Sequence, residues 1–240
     1  MSELHVSPDP EAAARAAAEL IADAVREARA QRGAAHVALA GGNTPKRAYE
    51  ALGAALDGDW SGVHLWFGDE RMVSADHPES NYRMAVEALE AGGMDDRARV
   101  HRIAGEQAPE EAAKAYALEL RATVPEGAEA IPALDLALQG LGEDGHTASL
   151  FPGHPEVDID DALTAAVHDS PKPPPTRVTL TVPMLRAARR IAFLAEGAGK
   201  AGPVAAIMRG PDPAVPSSLL GGPQTLLIVD EAAAAEARPG

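Results

Sequence analysis

Residues 141 to 153 read LGEDGHTASLFPG and follow an apolar run, ALDLALQG. Two acids and a histidine fall within four residues, hemmed by glycines. Gly140, Gly142 and Gly145 predict a tight turn that aims Asp144 and His146 from a narrow stretch of backbone. A carboxylate beside an imidazole orients the ring and holds its proton affinity near neutrality, as a general base requires. Zinc chemistry needs three convergent ligands. His154 and Asp144 are available for it, but nothing has H-E-x-x-H spacing. Ser149 lacks the G-x-S-x-G elbow of a nucleophilic serine.

Three other segments carry ionisable or anion-binding groups. In ALAGGNTPKRAYEAL (38–52), Gly41 and Gly42 let backbone approach a ligand closely. Thr44 is expected to cap the following helix, and Pro45 suits its first turn. A helix start with free N–H groups attracts phosphate or carboxylate, although the pattern is neither a Walker A loop nor GxGxxG. In LWFGDERMVSADHPESNYRMA (65–85), Asp69, Glu70 and Arg71 follow a strand and Ser80 to Tyr82 open a helix. The acidic-basic triplet reads either as an internal ion pair or with Asp69 facing a substrate. In SPKPPPTRVTLTV (170–182) Arg177 begins a strand, and in AEGAGKAG (195–202) Lys200 opens a helix. An ammonium at a helix N-terminus opposes the macrodipole unless an anion lies between them.

The elements that must position these groups follow from periodicity. A helix is expected over 10–32, capped within Ser7 to Asp9, with Leu20, Ile21 and Val25 suitably spaced. Short apolar runs at 36–40, 63–67, 99–103, 134–140, 162–167, 177–182, 190–196 and 225–230 predict strands. They alternate with helical stretches at 45–56, 81–91, 109–122 and 199–208. That alternation predicts one α/β domain over 1–240, doubly wound, its mainly parallel sheet covered by helices on both faces. Ligands of such sheets gather beyond the carboxyl ends of the strands, which is where the polar motifs fall.

Bulk composition narrows the function classes. The formal net charge of −15 argues against a nucleic-acid or anionic-membrane surface, so an anion must be met by a few local cations and amides. Cysteine is absent, which removes disulfides, thiol catalysis and thiolate metal sites. No apolar run approaches the roughly 20 residues of a membrane span, and the N-terminus does not read as a secretory signal. A cytoplasmic monomer is the default expectation. Aromatics make up 3% of residues, leaving alanine and branched aliphatics to fill the core.

Together the four segments resemble the 6-phosphogluconolactonase family. The resemblance rests on Ala40 to Pro45, on Asp69–Arg71 with Ser80–Asn81, on the thirteen residues Gly140 to Pro152, and on Pro171 to Thr179. It spans residues 38 to about 202 in family order. It implies a Rossmann-like, glucosamine-6-phosphate deaminase-like fold and hydrolysis of 6-phospho-D-glucono-1,5-lactone without metal or cofactor. It implies His146 as the base that activates water, with Asp144 orienting it and Asp69 binding sugar hydroxyls or helping to position water. Gly41, Gly42, Asn43, Thr44, Arg177 and Lys200 are the expected phosphate ligands, with Arg71 joining them or contacting the ring. Amides around Gly142 to Gly145 are candidate oxyanion donors. Glucosamine-6-phosphate deaminases share several of these motifs but carry a glutamate where this chain has Phe151, and tend to have Asp-Glu-Tyr at 69–71. A sugar-phosphate sensor on the same fold normally adds a DNA-binding module, for which these residues leave no room.

Overall fold

The N-terminal helix shows how local chemistry sets the elements of this computed structural model, which describes residues 1–237. Helix α1 (Pro10–Arg32) starts where Asp9 accepts the Ala12 N–H at 2.7 Å and Pro10 needs no partner. It stops at Gly33, whose φ of 80° lets its N–H return to the Arg29 carbonyl. Its inward face is mostly alanine, so it lies close to the sheet and to helix α2 (Asn43–Ala55).

Seven parallel strands form the central sheet: β1 (Glu3–Ser7), β2 (Ala35–Leu39), β3 (Val63–Phe67), β5 (Arg99–Val100), β6 (Leu136–Gly140), β9 (Ile191–Ala195) and β10 (Thr225–Asp230). Their spatial order is β1-β10-β9-β6-β2-β3-β5. The chain runs outward from β2 through β3 to β5, then returns to place β6 on the other side of β2. That reversal opens a crevice at the carboxyl ends of β2 and β6. Strands β2 and β9 are buried along their whole length, which explains why they read as unbroken apolar runs.

Part of the expected sheet lies elsewhere. Residues 162–167 and 177–182 supply β7 (Thr164–Val167) and β8 (Arg177–Leu180), which pair antiparallel in a second, three-stranded sheet. The third member is β4 (Asp69–Arg71), in register with β8 so that Asp69 faces Thr179 and Arg71 faces Arg177. Helix α4 (Pro109–Thr123) packs on this sheet, where Thr164 Oγ1 donates to the Ala113 carbonyl at 2.7 Å. Helices α3 (Asn81–Ala91), α5 (Val182–Arg186) and α6 (Ala201–Arg209) complete the set. Strand β1 is a further addition: its alternating ELHVS pattern suits an edge strand, paired with β10 and packed by α1. Thr44 is not the cap of α2. Gly42 holds that position with φ 101°, and no side chain caps the helix.

Candidate active site

Strands β9, β6, β2 and β3 lie side by side, and the loops leaving their carboxyl ends enclose a cavity of about 280 Å³. That is near the lower end of small-molecule sites, about 300 Å³. Gly41, Gly42, Asn43, Thr44, Asp69, Arg71, His146, Arg177 and Lys200 all line it, as does Lys172. Asp144 is not part of the lining but contacts the His146 ring at Nδ1.

The turn after β6 is closed by its own backbone. Gly142 N–H donates to the His146 carbonyl at 2.8 Å, and Gly145 N–H to the Gly142 carbonyl at 3.0 Å, with Gly145 at φ 83°. The Gly142 and Gly145 amides are thus engaged inside the turn, which leaves those of Glu143 and Asp144 as the oxyanion candidates of this segment. Asp144 Oδ1 accepts from the His146 backbone N–H at 3.2 Å and also meets the ring at Nδ1. With the Nδ1 proton held there, Nε2 carries the lone pair. Gly142 must lack a side chain, since a Cβ would lie 2.0 Å from Nδ1. Phe151, fully buried, covers the ring at 4.8 Å between centroids.

Burial pushes the imidazole below its ordinary pKa, Asp144 opposes that shift, and the Lys172 ammonium adds to it. The shift favours the uncharged ring, the form able to accept a proton. Burial alone would raise the Asp144 carboxyl. The His146 hydrogen bond, the imidazole charge and Lys172 together bring it below its usual range.

At the other side of the cavity the groups suit an anion. The start of α2 has no capping side chain, and Lys200 stands at the start of α6, half-buried. Burial lowers the Lys200 ammonium, while Glu143 supports its charge. Arg71 donates from Nη1 to the Glu79 carbonyl at 2.7 Å, and its buried Nε has no protein partner.

Among the described residues Arg71 pairs with neither acid of its own triplet, and the intramolecular ion pair is instead that of Asp69 with Arg177. Asp69 is buried, accepts from Ser149 Oγ at 2.6 Å, and lies 3.7 Å from Arg177 Nη1. Glu70 is turned away from the cavity and caps α3. It accepts the Asn81 and Tyr82 N–H groups at 2.7 Å and the Ser80 hydroxyl at 3.0 Å. Arg177 lines the cavity with most of its donors already engaged. Its Nε donates to the Pro174 carbonyl at 3.1 Å, and Nη2 to those of Lys172 (2.9 Å) and Pro173 (3.3 Å). Only Nη1 is not bound to a carbonyl. Lys172, which sequence reasoning passed over, lines the cavity and lies 3.8 Å from Asp144 Oδ2. The signal was its place between prolines in a motif already singled out. His154 faces Asp169 at 3.5 Å, and among the described residues no three His, Asp or Glu side chains are placed to hold a metal ion.

The family model described as glucosamine-6-phosphate isomerases/6-phosphogluconolactonase matches residues 8–228. The chain belongs to that family. The 6-phosphogluconolactonase of Streptomyces coelicolor is 42% identical over 245 aligned positions, covering 98% of this chain and 94% of that one. Its counterpart in Mycobacterium tuberculosis is 38% identical over 243 positions, with 98% of each chain covered. Among solved structures, the 6-phosphogluconolactonase of Trypanosoma brucei superposes with a TM-score of 0.88 at 29% identity, covering 99% of each chain. Family membership, an enzyme fold and a mainly parallel sheet are thus established together.

Proposed function

We propose that this chain hydrolyses 6-phospho-D-glucono-1,5-lactone to 6-phosphogluconate, the second step of the oxidative pentose phosphate pathway. The observation that carries the reading is the His146 imidazole, fixed by Asp144 through Nδ1, with Nε2 left as a base in a cavity whose far side is cationic. The names of the relatives support it. His146 Nε2 takes a proton from water as its oxygen attacks C1. The tetrahedral intermediate then collapses, and the departing ring oxygen receives the proton from the imidazolium. Lys200, Arg71 and the uncapped start of α2 hold the phosphate, which reconciles anion binding with a net charge of −15. Arg177 adds buried positive charge and Nη1. Asp69, held by Ser149 and Arg177, faces the sugar hydroxyls or the attacking water.

Phe151 favours this reaction over deamination of an amino sugar phosphate. It occupies the place where a glutamate would relay protons in ring opening, and a buried phenyl ring moves none. Among the described residues no helix is long and apolar enough to cross a membrane. The proposal includes a monomer acting in the cytoplasm on this small substrate, with no nucleic-acid or membrane partner.

The test is His146→Ala assayed on the phosphorylated lactone, corrected for spontaneous opening. Turnover should fall by roughly two to four orders of magnitude with thermal unfolding nearly unchanged. Activity above one-tenth of wild type sinks the base assignment. Steady ammonia release from glucosamine 6-phosphate, or a rate abolished by chelator and restored by a divalent ion, would reverse the reaction class.

A further inference from the structure

His146 can act only while its ring is uncharged, so the charges that meet it set the pH at which it begins to work. Three act on it. Asp144 comes from its own turn, Asp69 from β4, and Lys172 from the loop that precedes β8. Lys172 Nζ lies 3.3 Å from His146 Nδ1 and 3.8 Å from Asp144 Oδ2. Because Nδ1 gives its proton to Asp144, it has no lone pair to offer an ammonium. The 3.3 Å contact is therefore not an attractive hydrogen bond, and the partner of Lys172 is the carboxylate that the imidazole also uses.

Long lysines usually avoid such a position, and the loop explains why this one stays. Arg177 binds the carbonyls of Lys172, Pro173 and Pro174 from beneath. Ser170 Oγ donates to the Lys172 carbonyl at 2.9 Å, and Ser170 N–H to the Pro175 carbonyl at 2.9 Å. Three consecutive prolines limit the freedom of the segment further. Arg177 is itself buried against Phe151, its guanidinium 5.7 Å from the ring centroid, and beside Asp69. The apolar cover of His146 and the anchor of Lys172 are thus one packed unit.

We propose that Lys172 is a positioning residue for the base: its ammonium, fixed by the Arg177-anchored loop, competes for Asp144 and disfavours the imidazolium, keeping His146 available to deprotonate water. The same repulsion later drives the proton off the ring and onto the departing ring oxygen. This inference rests on the lactonase reading and on His146 as its base.

The experiment is the pH profile of kcat/KM on the phosphorylated lactone for the wild-type chain, Lys172→Met, Lys172→Arg and His146→Ala. Removing the positive charge raises the proton affinity of His146, so the acid limb of Lys172→Met moves to higher pH. Its partial exposure to solvent and salt limits the shift to about half to one unit. The loss is then larger at pH 6 than at pH 8, and Lys172→Arg returns the limb close to its wild-type place. A limb that stays put, with kcat/KM reduced equally at all pH, overturns the proposal in favour of a structural lysine. A rise in KM for the phosphorylated but not the unphosphorylated lactone, again with the limb unmoved, overturns it in favour of an anion contact. If His146→Ala keeps both activity and limb, the base assignment itself fails and takes this inference with it. That outcome is separable because it appears without any change at Lys172.

Discussion

Replacing Gly142 by alanine tests whether the geometry of the Asp144–His146 pair controls the rate. The backbone there is not in the left-handed region, so alanine is conformationally acceptable. The added Cβ would lie 2.0 Å from His146 Nδ1 and 2.4 Å from Asp144 Oδ1. Ordinary contact needs 3.4 Å, so the ring must retreat by about 1.4 Å or turn away from its carboxylate. A misplacement of about 1 Å at a reacting group costs roughly 100-fold in rate, equivalent to about 2.7 kcal/mol of barrier. The turn keeps its two backbone hydrogen bonds, because the new methyl group replaces neither donor nor acceptor. We therefore expect kcat to fall by about two orders of magnitude while the thermal midpoint moves by only a few degrees. The assay is steady-state lactone opening alongside calorimetric or fluorescence unfolding. A variant within about threefold of the wild-type kcat, with an unchanged pH profile, refutes the claim that this contact fixes the base.

Lys200→Met should raise KM for the phosphorylated lactone by about tenfold or more and leave the unphosphorylated lactone unaffected, since a charge-assisted anion contact is worth about 1.5–3 kcal/mol. Equal losses on both substrates would remove Lys200 from the phosphate site. Glu70→Ala leaves the Asn81 and Tyr82 N–H groups without their acceptor, so urea denaturation should show about 1–3 kcal/mol of lost stability. A midpoint equal to wild type would mean that the start of α3 is satisfied in another way. His36, buried at the start of β2, has its pKa lowered to about 4 by burial first and then by the His64, His101 and Arg32 charges. The unfolded chain binds that proton near pH 6.5, so stability is complete above that value and declines as pH falls toward 4. The loss is about 3 kcal/mol, and His36→Gln should flatten the slope in urea titrations over this window.

Some of this molecule is legible from spacing alone and some is not, for physical reasons. HVALA, LDLALQG and RIAFLAE read as strands because both their faces are covered. Asp144 and His146 are legible as a pair because one short turn brings them together. Strand β4 is not legible, since Asp69-Glu70-Arg71 has no apolar member and acquires its pairing only from β8, over a hundred residues away. The triplet's roles were hidden for the same reason. Which acid caps α3 and which meets Arg177 depends on the direction in which a three-residue strand presents alternate side chains. Arg177 announces a charge but not the three carbonyls that engage its Nε and Nη2, because the loop that supplies them folds back only in three dimensions. Lys172 reads as one more loop lysine until the Arg177 anchor is seen. Thr44 looks like a cap by type, but Gly42 at φ 101° takes that position.

The arrangement of the two halves of the cavity has a consequence for change over time. The pair proposed to handle the proton is encoded in three consecutive residues of one turn, whereas the groups proposed to hold the anion come from the loops after β2 and β9 and from strand β4. Insertions or substitutions in those loops alter what length and charge of molecule is gripped, and they leave the pair's internal hydrogen bonds untouched. A designer seeking a lactonase for a longer or unphosphorylated sugar acid should therefore vary the β9–α6 loop and the start of α2 first. The Gly142–His146 turn, by contrast, can be carried into a related scaffold as one piece, provided Phe151 comes with it to keep the ring dry.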